Sequence, residues 1–133
     1  MAYLLQQYLS ESARRFPAKP AVWARNRVIT YAELEERSNQ IANLLHQRGI
    51  GKGDRVGIYF PKNVESIAAM FGALKAGAVY VPLDPQAPAE RVGYIVQNCG
   101  MRALFTAEDK RRGLEDAALA TVELTVLLGK TTA

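Results

Sequence analysis

The sequence has little of several features that mark particular classes of protein. Its 133 residues include a single cysteine, Cys99, which excludes an internal disulfide and fits a reducing compartment. The longest strongly apolar stretch, Ile67 to Val81, is interrupted by Lys75 and two glycines, so no segment is long enough to span a bilayer. The N-terminus lacks a basic region before an apolar run, so a secretory signal is not expected. We therefore expect a cytoplasmic protein with no membrane partner.

Histidine is equally scarce, which limits the chemistry that the chain can support. His46 is the only histidine, and without a cysteine or second histidine near it neither a metal site nor a Ser–His pair is indicated. We interpret it as a surface or boundary residue. Cys99 completes an apolar helical stripe, which favours a buried thiol packed as a small hydrophobe over a nucleophile.

The charge is weakly basic and evenly spread. There are 17 Lys and Arg residues against 13 Asp and Glu, a formal net charge of +4. The one tight cluster, Lys110-Arg111-Arg112, has no interleaved aromatic residues to serve as stacking platforms. We interpret it as a solvated helix face and expect no nucleic-acid partner.

What is present is typical of one globular domain. Hydrophobic residues make up 49% and charged residues 23% of the chain, which is ordinary composition. The spacing of apolar residues predicts a helix from Leu4 to Phe16, ended by Pro17. Two short strands, 21–23 and 28–30, are predicted to flank a turn at 25–27.

The remaining chain alternates between helix and strand. Thr30 and Glu33 form a capping-box pattern that opens a helix ending at Gly49. A mostly apolar strand follows at 54–60, and Asn63 caps a helix that is apolar almost all round. The later predicted elements are a strand at 79–81, a helix from Pro88 to Gly100, a strand at 103–106, a helix from Glu108 to Leu119 and a strand at 122–128.

This alternation predicts the fold class. It implies an α/β fold with a mostly parallel sheet, right-handed crossovers and helices on both faces, preceded by a helix and a short β-hairpin. We expect residues 1–133 to form one lobe, with the opening helix and hairpin in 1–30 and the alternating helices and strands in 31–133.

No phosphate-binding loop is predicted. Residues 49–53, Gly-Ile-Gly-Lys-Gly, follow a helix and precede a strand, which is the wrong polarity for cradling phosphate and is typical of a helix end and turn. Gly129-Lys130-Thr131 matches the last residues of a P-loop, but Leu124 stands where that pattern needs a glycine. The acidic residues Glu33, Glu35 and Glu36 suit the start of a helix. We predict no catalytic, cofactor-binding or metal-ligating residue in this chain.

Two stretches carry a more specific pattern. The first is Ile-Thr-Tyr-Ala-Glu-Leu at 29–34, followed by 38–45 and 49–56; the second is Ala-Leu-Lys-Ala-Gly-Ala-Val-Tyr-Val-Pro-Leu-Asp-Pro at 73–85, with Pro-Ala-Glu-Arg at 88–91. Together they resemble the first two core motifs of the adenylate-forming superfamily, which holds acyl-CoA synthetases, luciferases and the adenylation domains of nonribosomal peptide synthetases. The resemblance extends from about Leu4 to Thr106 and fades beyond Ala107.

The resemblance implies the first lobe of the large N-terminal domain of an AMP-forming ligase. Such a parent uses ATP and Mg²⁺ to convert a small carboxylic acid to an acyl-adenylate, then passes the acyl group to the thiol of CoA or a carrier protein. In the family the phosphate-gripping loop, the acyl pocket, the ribose-binding aspartate and the catalytic lysine come later. The implied partners are therefore a second α/β lobe and the C-terminal domain. The motif at 80–91 is closer to the amino-acid-activating branch.

The chain by itself is accordingly predicted to be inactive. Two alternatives stay open: a small non-catalytic interaction subunit, as in half of a split ligase, and a free-standing nucleotide-binding domain. The missing glycine loops argue against the second. We also expect apolar surface around the helix at 67–76 or at a sheet edge to lack cover in the isolated lobe, which favours a homodimer.

Overall fold

The computed structural model describes residues 4–24 and 27–129. Its first elements are a helix, α1 (Leu5–Arg15), and an antiparallel pair of strands, β1 (Pro20–Ala24) and β2 (Arg27–Thr30). The predicted opening helix and hairpin are confirmed. The predicted turn falls partly on Arg25 and Asn26, which lie outside the described residues.

A capping box starts the next helix, α2 (Tyr31–Gln47), as the sequence predicts. The amide of Glu33 donates to Thr30 Oγ1 at 3.2 Å, and the amide of Thr30 donates to Glu33 Oε1 at 2.9 Å. These bonds satisfy amides that a helix leaves unpaired at its N-terminus. The helix ends before Gly49, whose φ of 70° is the left-handed value that glycine adopts without strain.

The rest of the chain builds one parallel sheet. Its strands are β3 (Arg55–Tyr59), β4 (Val79–Pro82), β5 (Ala103–Thr106) and β6 (Leu124–Leu127), in the order β4-β3-β5-β6. All three pairings are parallel. The connecting helices are α3 (Val64–Lys75), α4 (Ala89–Cys99) and α5 (Glu108–Arg112), followed by a 3₁₀ helix (Asp116–Leu119). The predicted α/β fold with a parallel sheet is confirmed.

Helices cover both faces of the sheet, because alternate strand residues point to opposite sides. On one face, Val56, Ile58 and Phe105 pack in a core with residues of α2 and α3. On the other face, Tyr59 and Leu104 pack in a second core with α4 and the segment after α5. Strand β3 is therefore enclosed: each residue from Val56 to Phe60 is buried.

A third core joins the opening elements to this body. Leu9 of α1, Val22 and Ile29 of the hairpin, and Leu34 of α2 are buried against the start of α3. The predicted apolar stripe of α1 is only partly used. Leu9 is 4% exposed, whereas the other apolar residues of the stripe stay largely in solvent: Leu4, Leu5, Tyr8 and Phe16.

Helix α3 is enclosed on several sides, as its apolar composition predicts. Val64, Ala68, Ala69 and Ala73 are each at most 1% exposed, and the larger side chains of the helix are half-buried. Uncovered apolar surface was expected around this helix or at a sheet edge; the helix itself is covered, because α2, α1 and the sheet pack against it. Among the described helices, none is long and apolar enough to cross a membrane.

The predicted helix from Glu108 to Leu119 is wrong in its length. Helix α5 ends at Arg112, and the chain turns through Gly113 before the short 3₁₀ helix. Leu114 lies in this break and is 4% exposed, packed in the second core. Burial of Leu114 requires the chain to turn toward the sheet. Gly113, just before it, has a low helix propensity, so continuing the helix through this position is not favoured.

The close packing of α2 on α3 gives a stability prediction. A Cβ built on Gly72 would lie 2.4 Å from Ile41 Cγ2 and 3.1 Å from the Ser38 carbonyl oxygen. We expect Gly72→Ala to lower the free energy of unfolding by about 1–3 kcal/mol, because overpacking outweighs the gain in helix propensity of about 1 kcal/mol. Urea unfolding followed by circular dichroism measures this change.

Gly93→Ala is the matched control for that substitution. Gly93 also lies within a helix, and its added Cβ would meet the Ala118 Cβ at 3.0 Å rather than a backbone. The propensity gain and the mild contact should offset each other to within about 1 kcal/mol. Equal effects of the two substitutions would show that α2 and α3 are not in close contact at Gly72.

Candidate functional site

The carboxyl edge of the sheet is the place where a site is expected. In open parallel sheets, ligands bind outside the carboxyl ends of the strands, at the point where the strand order reverses. Here β4 and β5 lie on opposite sides of β3, so the reversal falls between β3 and β5. At this point β3 ends at Tyr59 and is followed by Phe60, and β5 ends at Thr106 and is followed by Ala107.

Atoms of the chain itself occupy this switch point. The buried Thr106 hydroxyl donates to the Tyr59 carbonyl oxygen at 2.8 Å and ties the two strand ends together. The nearby start of α3 is capped by Asn63, whose Oδ1 accepts from the Ser66 amide at 2.9 Å. Within the described residues, no buried side-chain nitrogen or oxygen lacks a hydrogen-bond partner. The crevice therefore presents no unused buried polar side chain to a ligand.

Beside the switch point, two side chains fasten the loop that follows β4. The Tyr59 hydroxyl donates to the Ala87 carbonyl at 3.2 Å. Lys110 Nζ donates to the Pro85 carbonyl at 2.6 Å and lies 5.0 Å from the centre of the Tyr59 ring. Burial raises the pKa of Tyr59, with a further contribution from Asp109 and Asp84. The phenol is neutral at pH 7, and its hydrogen bond to the Ala87 carbonyl ties the loop to the end of β3.

The Gly-Ile-Gly-Lys-Gly loop at 49–53 lies at the opposite, amino edge. Asp54 Oδ2 accepts from the Gly51 amide at 2.9 Å and from Arg102 at 2.8 Å. Arg102 also donates to the Gly49 carbonyl at 3.0 Å and to the carboxylate of Glu123. The loop is thus bound to the starts of β3, β5 and β6 and contains the predicted turn.

The charged side chains of this cluster shift one another's pKa values. The hydrogen bond with Glu123 raises the pKa of Arg102, and the nearby carboxylate of Asp54 adds to the effect. The hydrogen bond from Arg102 holds the pKa of Glu123 below its usual value. Both groups are charged at neutral pH, and the cluster serves to hold strand ends together.

The remaining sequence candidates do not assemble into a site. His46 is exposed, with Nε2 3.4 Å from the Ala76 carbonyl oxygen. Cys99 is half-buried and packs against the second core. Glu33 is used as a cap, and Glu35 forms an ion pair with Lys75. Lys130 and Thr131 of the apparent P-loop ending lie outside the described residues.

A metal site is not supported by the side chains that the structure describes. No group of three or more His, Cys, Asp or Glu residues is placed to hold an ion within the described ranges. The donor set that Mg²⁺ prefers, several converging carboxylate or carbonyl oxygens, is therefore not built by these side chains. We assign no step of a reaction to a metal in this lobe.

Several structural contacts were not predicted from the sequence. Glu65 of α3 accepts from Arg27 at 2.8 Å and from Arg37 at 2.9 Å, which joins the hairpin, α2 and α3. The partners are 38 and 28 residues from Glu65 in the chain. No local pattern signals pairs at such distances. The signal for Tyr59 was available, because a lone phenol in an otherwise apolar strand needs a partner when buried.

A shallow groove lies between α1 and α2. Its volume is about 470 Å³, and it is open to solvent. Its lining mixes small and polar side chains, including Ser10, Arg14, Glu35 and Asn39. Ser10 Oγ donates to Glu35 Oε1 at 3.0 Å across it. This hydrogen bond joins α1 to α2.

A four-stranded parallel sheet with helices on both faces makes this an open, doubly wound α/β lobe. The family model described as "AMP-binding enzyme" matches residues 9–132. The chain therefore belongs to the AMP-binding enzyme family, which confirms the adenylate-forming resemblance of its motifs.

Individual relatives agree with this assignment. The chain is 42% identical over 120 residues to a linear gramicidin synthase of Brevibacillus parabrevis, matching 90% of this chain and 2% of the synthase. It is 34% identical over 120 residues to zwittermicin A synthase ZmaJ of Bacillus cereus, covering 23% of that protein. The chain thus spans a small part of the curated relatives that it matches.

Solved structures extend the likeness to the fold. The nonribosomal peptide synthetase FmoA3, in its S1046A form, superposes with a TM-score of 0.85 at 36% identity, over 98% of this chain and 14% of that chain. The anthranilate CoA ligase AuaEII, in complex with anthranoyl-AMP, gives a TM-score of 0.89 at 23% identity, over 98% and 26% of the two chains. The second likeness shows the fold alone.

The Tyr59 contact gives a prediction about the loop after β4. We expect Tyr59→Phe to lower the free energy of unfolding by about 1 kcal/mol, because the Ala87 carbonyl loses its donor. The backbone amides of the non-proline residues in 84–89 should exchange with solvent faster than in the original chain. The control is Tyr94→Phe, since Tyr94 is 68% exposed. Unchanged exchange at 84–89 in Tyr59→Phe would contradict the fastening role.

The Glu123 contact gives a prediction about acid stability. The folded state holds the pKa of Glu123 below its usual 4.5. The unfolded chain therefore binds a proton at Glu123 more readily than the folded chain does. The stabilisation that the ionised Glu123 gives the folded state is present above about pH 4.5 and is lost as the pH falls through the lowered pKa. Glu123→Gln should flatten the fall in urea midpoint between about pH 5 and about pH 3.

Glu115→Gln is the charge-matched control for that experiment. Glu115 is exposed and forms no ion pair among the described residues. We expect this variant to keep the pH dependence of the original chain. If Glu115→Gln flattens the curve as much as Glu123→Gln does, the effect comes from net charge and the Arg102 contact is not its source.

Proposed function

We propose that this chain is the first lobe of the adenylate-forming domain of a ligase that activates a carboxylic acid with ATP. The observation that carries the proposal is the family match over residues 9–132 in a chain that spans only a small part of its relatives. Residues 1–30 would supply the opening helix and hairpin, and residues 31–133 the alternating helices and strands. The cytoplasm is the compartment that we propose.

The parent reaction is proposed to have two steps. A carboxylate oxygen attacks the α-phosphorus of ATP, pyrophosphate leaves, and the acid becomes an acyl-adenylate. A thiolate sulfur then attacks the acyl carbon, and AMP leaves with the electrons of the broken C–O bond. A carboxylate is a poor electrophile because its oxygens are poor leaving groups, and AMP corrects this.

An amino acid and a carrier-protein thiol are the substrates that we favour for the parent. Support comes from the nonribosomal synthase relatives, one of which is 42% identical to this chain. The motif at 80–91, with Tyr-Val-Pro-Leu-Asp-Pro and Pro-Ala-Glu-Arg, points the same way. An acyl-CoA ligase is the second candidate, because the fold is shared with the CoA ligase AuaEII.

The lobe alone is proposed to lack activity. Support comes from the carboxyl edge of the sheet, where Thr106, Tyr59 and Asn63 are committed to contacts within the chain. The proposed parent therefore supplies the ATP, Mg²⁺ and acid sites from a second α/β lobe and a C-terminal domain. An isolated lobe would then be a scaffold, and self-association into a homodimer would cover its exposed apolar surface.

ATP–pyrophosphate exchange tests this function. We expect the 133-residue chain with ATP, Mg²⁺ and a mixture of amino acids to give no exchange above background. The same chain, replacing the corresponding first part of the matching adenylation domain of the linear gramicidin synthase, should restore exchange to that domain. A domain without any first lobe is the negative control.

Three outcomes would contradict the proposal. Exchange by the isolated chain would show that it contains reactive groups of its own. A folded chimera without exchange would favour a non-catalytic interaction subunit. Micromolar binding of ATP or another nucleotide to the isolated chain, measured by titration calorimetry, would favour a free-standing nucleotide-binding domain.

A further inference from the structure

We draw no further inference here: the strongest candidate, the exposed apolar stripe of α1 formed by Leu4, Leu5, Tyr8 and Phe16, carries nothing, because nothing in the structure shows what covers it.

Discussion

The structure depends on one constraint, the enclosure of strand β3 on both faces. Each residue from Val56 to Phe60 is buried, and successive residues point to opposite sides of the sheet. Apolar layers are therefore needed above and below it. Helices α2 and α3 form the layer on one side, and α4 with the segment around Leu114 forms the layer on the other. Within the sheet, β3 lies between β4 and β5 and is parallel to both, in the order β4-β3-β5-β6.

The charged contacts lie at the margins of this body and fix how its parts meet. Arg102 links Asp54 and Glu123, and so joins the amino ends of three strands. Glu65 joins the hairpin and α2 to α3 through Arg27 and Arg37. These pairs are partly exposed, where a single ion pair contributes little to stability. Their value lies in setting the relative positions of elements that apolar packing alone would allow to slide.

The same arrangement explains why a member of an AMP-binding family carries so little visible chemistry in this lobe. The motif positions act locally: Thr30 and Glu33 start a helix, and Pro82 removes a donor from the β4 edge. At the carboxyl edge, Tyr59, Lys110 and Thr106 bind backbone carbonyls of the chain itself. We propose that this lobe is a scaffold and that the reactive groups come from the rest of the domain.

Short-range interactions are what the sequence by itself determined. The Thr30–Glu33 capping box, the helix ends at Gly49 and Gly100, the alternation of elements and the family motifs all depend on residues a few positions apart. That this chain contributes no catalytic, cofactor-binding or metal-ligating residue stays a prediction.

Contacts between distant residues were decided only by the tertiary structure. They include the order of the strands, the choice of Leu9 over Leu4 and Leu5 for burial, the break in the predicted 108–119 helix at Leu114, and the pairing of Glu65 with Arg27. The physical reason is that burial and charge pairing are satisfied between elements far apart in the chain. Local spacing records which residues are apolar or charged, and the packed fold selects their partners.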